Sequence, residues 1–187
     1  MGIMRFRRFC GCVLLLLAGC GGPGSDLPQL PRVTGEYRLG PGDQLRLITF
    51  GEEQLTGEFR VNDGGKLGLP LLGPVPAATL TPRMLQEDIA KRLRETGLLR
   101  APSVTVEVIG YRPFFVLGEV NKPGQFPYQP GLSMVGAVAV AGGFTYRAVP
   151  DYAGVVRTAE GRSLEGRAGR RDLVQPGDVI TVYERRF

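Results

Sequence analysis

Alternating apolar and polar positions run through most of this chain, and one stretch breaks into a four-residue rhythm. In the run from Gln44 to Phe50, Leu45, Leu47 and Thr49 fall on one face, which predicts a half-buried strand. Phe59-Arg60-Val61 and Lys66-Leu67-Gly68-Leu69 flank Asn62-Asp63-Gly64-Gly65, a hairpin signal. Pro70 to Pro76 is rich in turn residues, with Leu71, Leu72 and Val75 expected inside. From Thr79 to Thr96 the period changes: Leu85, Ile89 and Leu93 recur every four residues beside Met84, with Gln86, Glu87, Lys91, Arg92, Arg94 and Glu95 outward. Thr81 suits the N-cap, Pro82 the first helical position and Gly97 the stop, and Glu87 stands four residues before Lys91. Period two returns in Val104 to Ile109, with Val104, Val106 and Val108 inward.

A second block repeats the theme. Phe114 to Val120 is β-branched and aromatic, Asn121-Lys122-Pro123-Gly124 suits a type II turn, and Gln125 to Tyr128 can pair back. Pro130-Gly131 turns the chain into Ser133, an N-cap for Met134 to Ala141, which Gly142-Gly143 stops. This helix is apolar almost all round and is expected to be buried on every side. Tyr152 to Arg157 reads as a strand and Ala159 to Arg171 as a polar loop, whose Arg162, Arg167, Arg170 and Arg171 are either solvated or in contact with an anionic polymer or headgroups. Pro176-Gly177-Asp178 before Val179 to Tyr183 echoes Pro41-Gly42-Asp43 before Gln44 to Leu47, and both aspartates read as turn caps. The fold class is α+β: two contiguous β-rich units, each with one helix on its sheet.

The first residues lie outside that pattern. Arg5, Arg7 and Arg8 precede an apolar run, Phe9 to Leu17, far shorter than the roughly 20 residues that span a bilayer. With Leu17-Ala18-Gly19-Cys20 this is a secretory signal peptide over residues 1–19. Its loss takes three arginines, so 23 basic residues against 18 acidic become 20 against 18, and the net charge falls from +5 to +2. No concentrated basic face remains to support nucleic-acid binding. Of the 3 cysteines only Cys20 stays, so no internal disulfide can form, and with 0 histidines neither a zinc or copper site nor a histidine base is expected. Catalysis and cofactors are therefore not expected. Residues 20–36 read as a flexible tether reaching at most ~55 Å, although Leu27, Leu30 and Val33 leave local packing open.

Several motifs carry a family resemblance. Val116-Leu117-Gly118-Glu119-Val120, Lys122-Pro123-Gly124, Pro130-Gly131 and Ala141-Gly142-Gly143-Phe144 resemble the soluble-ligand-binding β-grasp domain of bacterial outer-membrane polysaccharide export proteins. Tyr37-Arg38-Leu39-Gly40-Pro41-Gly42-Asp43, Val61-Asn62-Asp63-Gly64-Gly65 and Leu69-Pro70-Leu71-Leu72-Gly73-Pro74-Val75 resemble the N-terminal export domain of the same family. The resemblance implies an export domain over residues 37–110 and a β-grasp domain with its closing strand over residues 111–187. Leu17-Ala18-Gly19-Cys20 resembles a lipoprotein lipobox, which implies acylation of Cys20, and Gly21 after it favours the outer membrane over the inner.

The implied role is a lipid-anchored component on the periplasmic side of the outer membrane. It would form a homo-oligomeric ring that conducts capsular polysaccharide or exopolysaccharide from an inner-membrane co-polymerase. Larger members carry more β-grasp repeats and a pore-forming C-terminal helix, whereas here Arg185-Arg186-Phe187 follow a strand directly. That departure implies a separate outer-membrane β-barrel partner. The alternative is a monomeric glycan-binding lipoprotein acting as sensor or adaptor, since Tyr111, Phe115, Tyr128, Phe144 and Tyr146 could stack on sugars, while Phe114 and Phe126 suit the core. Glu119, Lys122, Tyr128 and Tyr146 are the candidate glycan or partner contacts.

Overall fold

A computed structural model describes residues 22–32, 36–159 and 161–185. The expected signal peptide over residues 1–19 and the expected lipidation position Cys20 lie outside the described residues. In the first unit, β1 (Gln44–Thr49) is central, between β2 (Gly57–Arg60) and β5 (Val104–Gly110), both antiparallel to it. Helix α1 (Pro82–Glu95) closes the sheet. Thr81 caps α1 by accepting the Met84 N–H, and Leu85, Ile89 and Leu93 are fully buried with Leu45, Leu47, Val104 and Val106. Glu87 pairs with Arg83 rather than Lys91, which pairs with Glu95. All four groups are exposed, so either choice changes stability little.

Two local expectations hold only in part. Val61 and Leu67 form only a single bridge across the Asn62–Gly65 turn, and β3 (Lys66–Leu69) pairs instead with β4 (Gly73–Pro76). Prolines at both ends of the Pro70 to Pro76 stretch hid that strand, yet it is an edge of a two-stranded ribbon, where a missing N–H costs little. Leu71, expected inside, sits at the ribbon tip with positive φ and 58% exposure, while Val75 is buried as expected.

The second unit is a five-stranded sheet in the order β7-β6-β10-β8-β9, comprising β6 (Phe114–Gly118), β7 (Gly124–Phe126), β8 (Tyr152–Ala159), β9 (Arg162–Gly169) and β10 (Val179–Val182). β6 and β10 run parallel at its centre, and the other pairings are antiparallel. Helix α2 (Met134–Val140) lies on one face, capped by Ser133, whose hydroxyl accepts the Gly136 N–H. Gly142 and Gly143 both take positive φ and stop it.

Three readings are corrected. α2 buries Met134, Ala137 and Val138 but exposes Val135, Ala139 and Val140, because a single sheet covers only one side of so short a helix. Gly124 opens β7 with extended backbone, so no type II turn precedes it. The supposed loop after Ala159 contains β9, paired residue for residue with β8. Its buried positions are the small Gly166 and Ala168, so no hydrophobic alternation marked it.

The expected tether is also ordered over much of its length. The chain from Gly22 to Leu30 docks on β9: Gln29 bridges Arg167, the Leu30 N–H donates to the Arg167 carbonyl (3.0 Å), and the Arg167 N–H donates to the Pro28 carbonyl (2.9 Å). Leu30 is buried in the second core. Edge pairing satisfies backbone groups, and burial of one Leu contributes about 1.5–3 kcal/mol, enough to offset the ordering of a few residues.

Buried ion pairs anchor both Pro-Gly-Asp turns. Asp178 is fully buried and accepts from Arg157 through Nε (2.9 Å) and Nη2 (2.7 Å), and from the Gln175 N–H (2.8 Å). Asp43, also fully buried, accepts from the Gly40 N–H (2.8 Å), the Tyr37 hydroxyl (2.6 Å) and the Arg112 N–H (3.2 Å). Arg112 belongs to the Tyr111–Pro113 connector, so this second set joins the two units. The Gly177 N–H donates to the Pro113 carbonyl from the other side (3.0 Å).

Breaking one member of a buried pair strands the other charge. Asp178→Ala is expected to lower the unfolding free energy by about 3–5 kcal/mol in urea denaturation; a loss near that of an exposed control, Glu87→Ala, contradicts the pairing. Burial, the hydrogen bond to Asp43 and its charge raise the Tyr37 hydroxyl above its ordinary value of 10.0. The folded state therefore holds this proton more tightly than the unfolded chain, and stability should fall as the pH climbs above about 10. Tyr37→Phe should flatten that alkaline loss relative to the native chain in pH-dependent melts; identical slopes contradict it.

Candidate functional site

The two Pro-Gly-Asp turns face a common cleft of about 620 Å³. Tyr37, Pro41, Asp63, Arg112, Arg157 and Pro176 are among its lining residues. Arg157 is committed to Asp178 and to the Leu173 carbonyl. Arg112 is less satisfied: Nη2 donates to the Tyr37 hydroxyl (3.3 Å), whereas Nε lies 3.5 Å from Asp43 Oδ1, within range for charge attraction but not aligned as a hydrogen bond. That Nε–H is buried and without a partner. A Cβ at Gly40 would come within 2.5 Å of the Arg112 guanidinium, so only glycine lets the arginine lie across the turn.

Beside the cleft, Tyr37, Tyr111 and Tyr128 form an edge-to-face series with ring centroids 5.1 and 5.4 Å apart. Burial pushes the hydroxyls of Tyr111 and Tyr128 upward, helped by the nearby Asp43 charge for Tyr111. Tyr128 is half-buried at the junction of the units and packs against the second core.

Glu119, Lys122 and Tyr146 gather elsewhere, around the end of β6 and the C-terminus of α2. Glu119 accepts from the Thr145 hydroxyl (2.5 Å), and the Thr145 N–H donates to the Glu119 carbonyl (3.1 Å). Asn121 donates its amide to the Gly142 carbonyl (2.8 Å), and the Lys122 N–H donates to the Ala141 carbonyl (2.9 Å). The Lys122 stem runs along Gly142, its Cγ 3.3 Å from where a Cβ would stand, beside the C-terminus of α2. Tyr146 is 86% exposed. This loop clasps a helix terminus and presents one carboxylate, one ammonium and one free phenol.

These groups are of the kind that hydrogen-bond or pair with hydroxyl- or charge-bearing ligands. The chain has 0 histidines, and no group of three His, Cys, Asp or Glu side chains able to hold a metal occurs among the described residues. Sequence reasoning missed Arg112, Arg157 and Asn121. A signal existed for Arg157: it shares strand parity with Ala153 and Val155, and a cation on an apolar face requires a buried acid. Arg112 and Asn121 lie in irregular segments, where no periodicity marks direction.

Comparison with known proteins places these two units. Residues 31–109 match the polysaccharide biosynthesis/export protein family, and residues 113–168 match the SLBB domain. The exopolysaccharide production protein ExoF of Rhizobium meliloti (strain 1021) is 35% identical over 146 residues, covering 72% of this chain and 34% of ExoF. The chain thus spans about a third of the length of that curated relative. Neither matched family is one of enzymes. With an export unit and an SLBB unit in sequence and an α+β fold to match, the chain belongs to the polysaccharide biosynthesis/export family and carries an SLBB domain.

Proposed function

We propose that the protein is a non-enzymatic subunit of an exopolysaccharide or capsular polysaccharide export machine. It is anchored through acylated Cys20 to the periplasmic face of the outer membrane. Copies assemble into a ring that conducts polymer received from an inner-membrane co-polymerase, and a separate outer-membrane β-barrel completes the path. The observation that carries this reading is the pairing of an export unit with an SLBB unit, across a connector pinned by Asp43 and Arg112. One further feature supports it. The solvent side of α2 carries Val135 and Val140 at 36% and 50% exposure, a surface suited to packing against a second copy.

Crosslinking in the producing cell, followed by mass spectrometry, tests the assembly. Multimers of this chain together with an outer-membrane β-barrel protein are expected, and deletion of the gene should abolish polymer in the medium. A chain recovered only as monomer, with polymer secretion intact in the deletion strain, contradicts the conduit and favours a glycan-binding adaptor.

A further inference from the structure

The docked N-terminal segment begins two residues after Cys20. Gly22 lies against the Tyr152 hydroxyl, 3.0 Å from where a Cβ would stand, and that hydroxyl donates to the Pro23 carbonyl (2.9 Å). Gly24 packs on the Tyr183 ring, where no side chain would fit. The Arg167 guanidinium lies 5.9 Å over the Tyr152 ring and donates to the Ser25 carbonyl (3.3 Å). Two peptide units separate Cys20 from Gly22, so the Cys20 Cα lies within about 7 Å of the Gly22 Cα.

Tyr152 and Tyr183 stand on the sheet face opposite α2. Strand parity puts Phe115 and Leu117 of β6, Val179 and Thr181 of β10, and Val156 of β8 on the same face. Phe115, Leu117 and Val156 are 37%, 45% and 37% exposed. Leu117 is opposite Thr181, and Thr181 is opposite Gly154, so Leu117 lies two strand spacings, about 10 Å, from Gly154. Glu165 and Arg167 are confined to the β9 rim, and Arg167 is turned to the docked segment. The face is therefore apolar at its centre, tyrosine-bearing at one corner, and within a short reach of the anchoring residue. Tyrosine beside aliphatic side chains suits the headgroup–acyl boundary.

We infer that this sheet face is a membrane-contact surface: the second unit lies directly on the lipid, with Phe115, Leu117 and Val156 at the interface. The occupant is the bilayer rather than a second copy, because Gly22, docked at a corner of this same face, follows the anchoring position by only two residues. The inference rests on the acylation of Cys20 proposed above. It replaces a long leash by a fixed orientation of the second unit.

The chain contains 0 tryptophans, so single Trp variants report one position each. Full-length acylated protein carrying Leu117→Trp is reconstituted in phosphatidylcholine vesicles with and without bromine on the acyl chains. A Met84→Trp variant, on the exposed side of α1, serves as control. Leu117→Trp should lose about twofold in fluorescence in the brominated vesicles, as expected for a side chain at the acyl boundary, and Met84→Trp should be unchanged. An acylated Leu117→Trp variant that bromine does not quench overturns the inference, and if it is also shielded from aqueous iodide, a second copy covers the face. Mass spectrometry of the N-terminal peptide separates the two levels: an unmodified Cys20 overturns the anchor itself, and the membrane contact with it.

Discussion

A carboxylate kept dry inside a Pro-Gly-Asp turn is the constraint on which both units depend. Asp43 and Asp178 are each wholly buried at the start of a central strand, and each accepts the backbone N–H three residues earlier. Such a charge is tolerated only with a cation and a full set of donors. Asp178 obtains them from Arg157 within its own sheet, through two hydrogen bonds. Asp43 obtains them from Tyr37 and from the connector residue Arg112. The same device thus stabilises one unit internally and ties the other to its neighbour. It places both turns on one cleft, with the connector lying between them.

Much of this was legible in the chain because apolar periodicity and capping chemistry agree. Thr81-Pro82 and Ser133 start helices that Gly97 and Gly142-Gly143 end, as local physics requires. What stayed hidden shares one cause: contacts that are not periodic. β9 carries glycine and alanine inward, β4 is framed by prolines, and the segment before Leu30 is ordered by an edge strand far along the chain. Of the candidate site, Glu119 and Lys122 were found in one loop, but Tyr128 proved to be a junction residue. The turn-capping role of Asp43 and Asp178 was readable, while their arginine partners were not.

The geometry also bears on the proposed non-enzymatic role. The proposed ring would need a subunit that resists deformation as polymer passes, with its two units keeping one mutual orientation. The tyrosine series and the Arg112 cluster supply contacts at the connector, where a bare linker would leave the units free to rotate. Docking of residues 22–30 on β9 extends that order toward the N-terminus. Docked segment, second unit, connector and first unit then form one continuous chain of contacts.

The buried carboxylates make the amides of Gly40 and Gln175 the most direct reporters. In an open, irregular turn these N–H groups exchange with solvent freely; held 2.8 Å from a dry carboxylate oxygen, they exchange only when the surrounding structure opens. Native-state hydrogen exchange followed by NMR should give Gly40 and Gln175 protection comparable to the central strands β1 and β10. Exchange at both amides as fast as at the exposed ribbon tip around Leu71 would contradict the account.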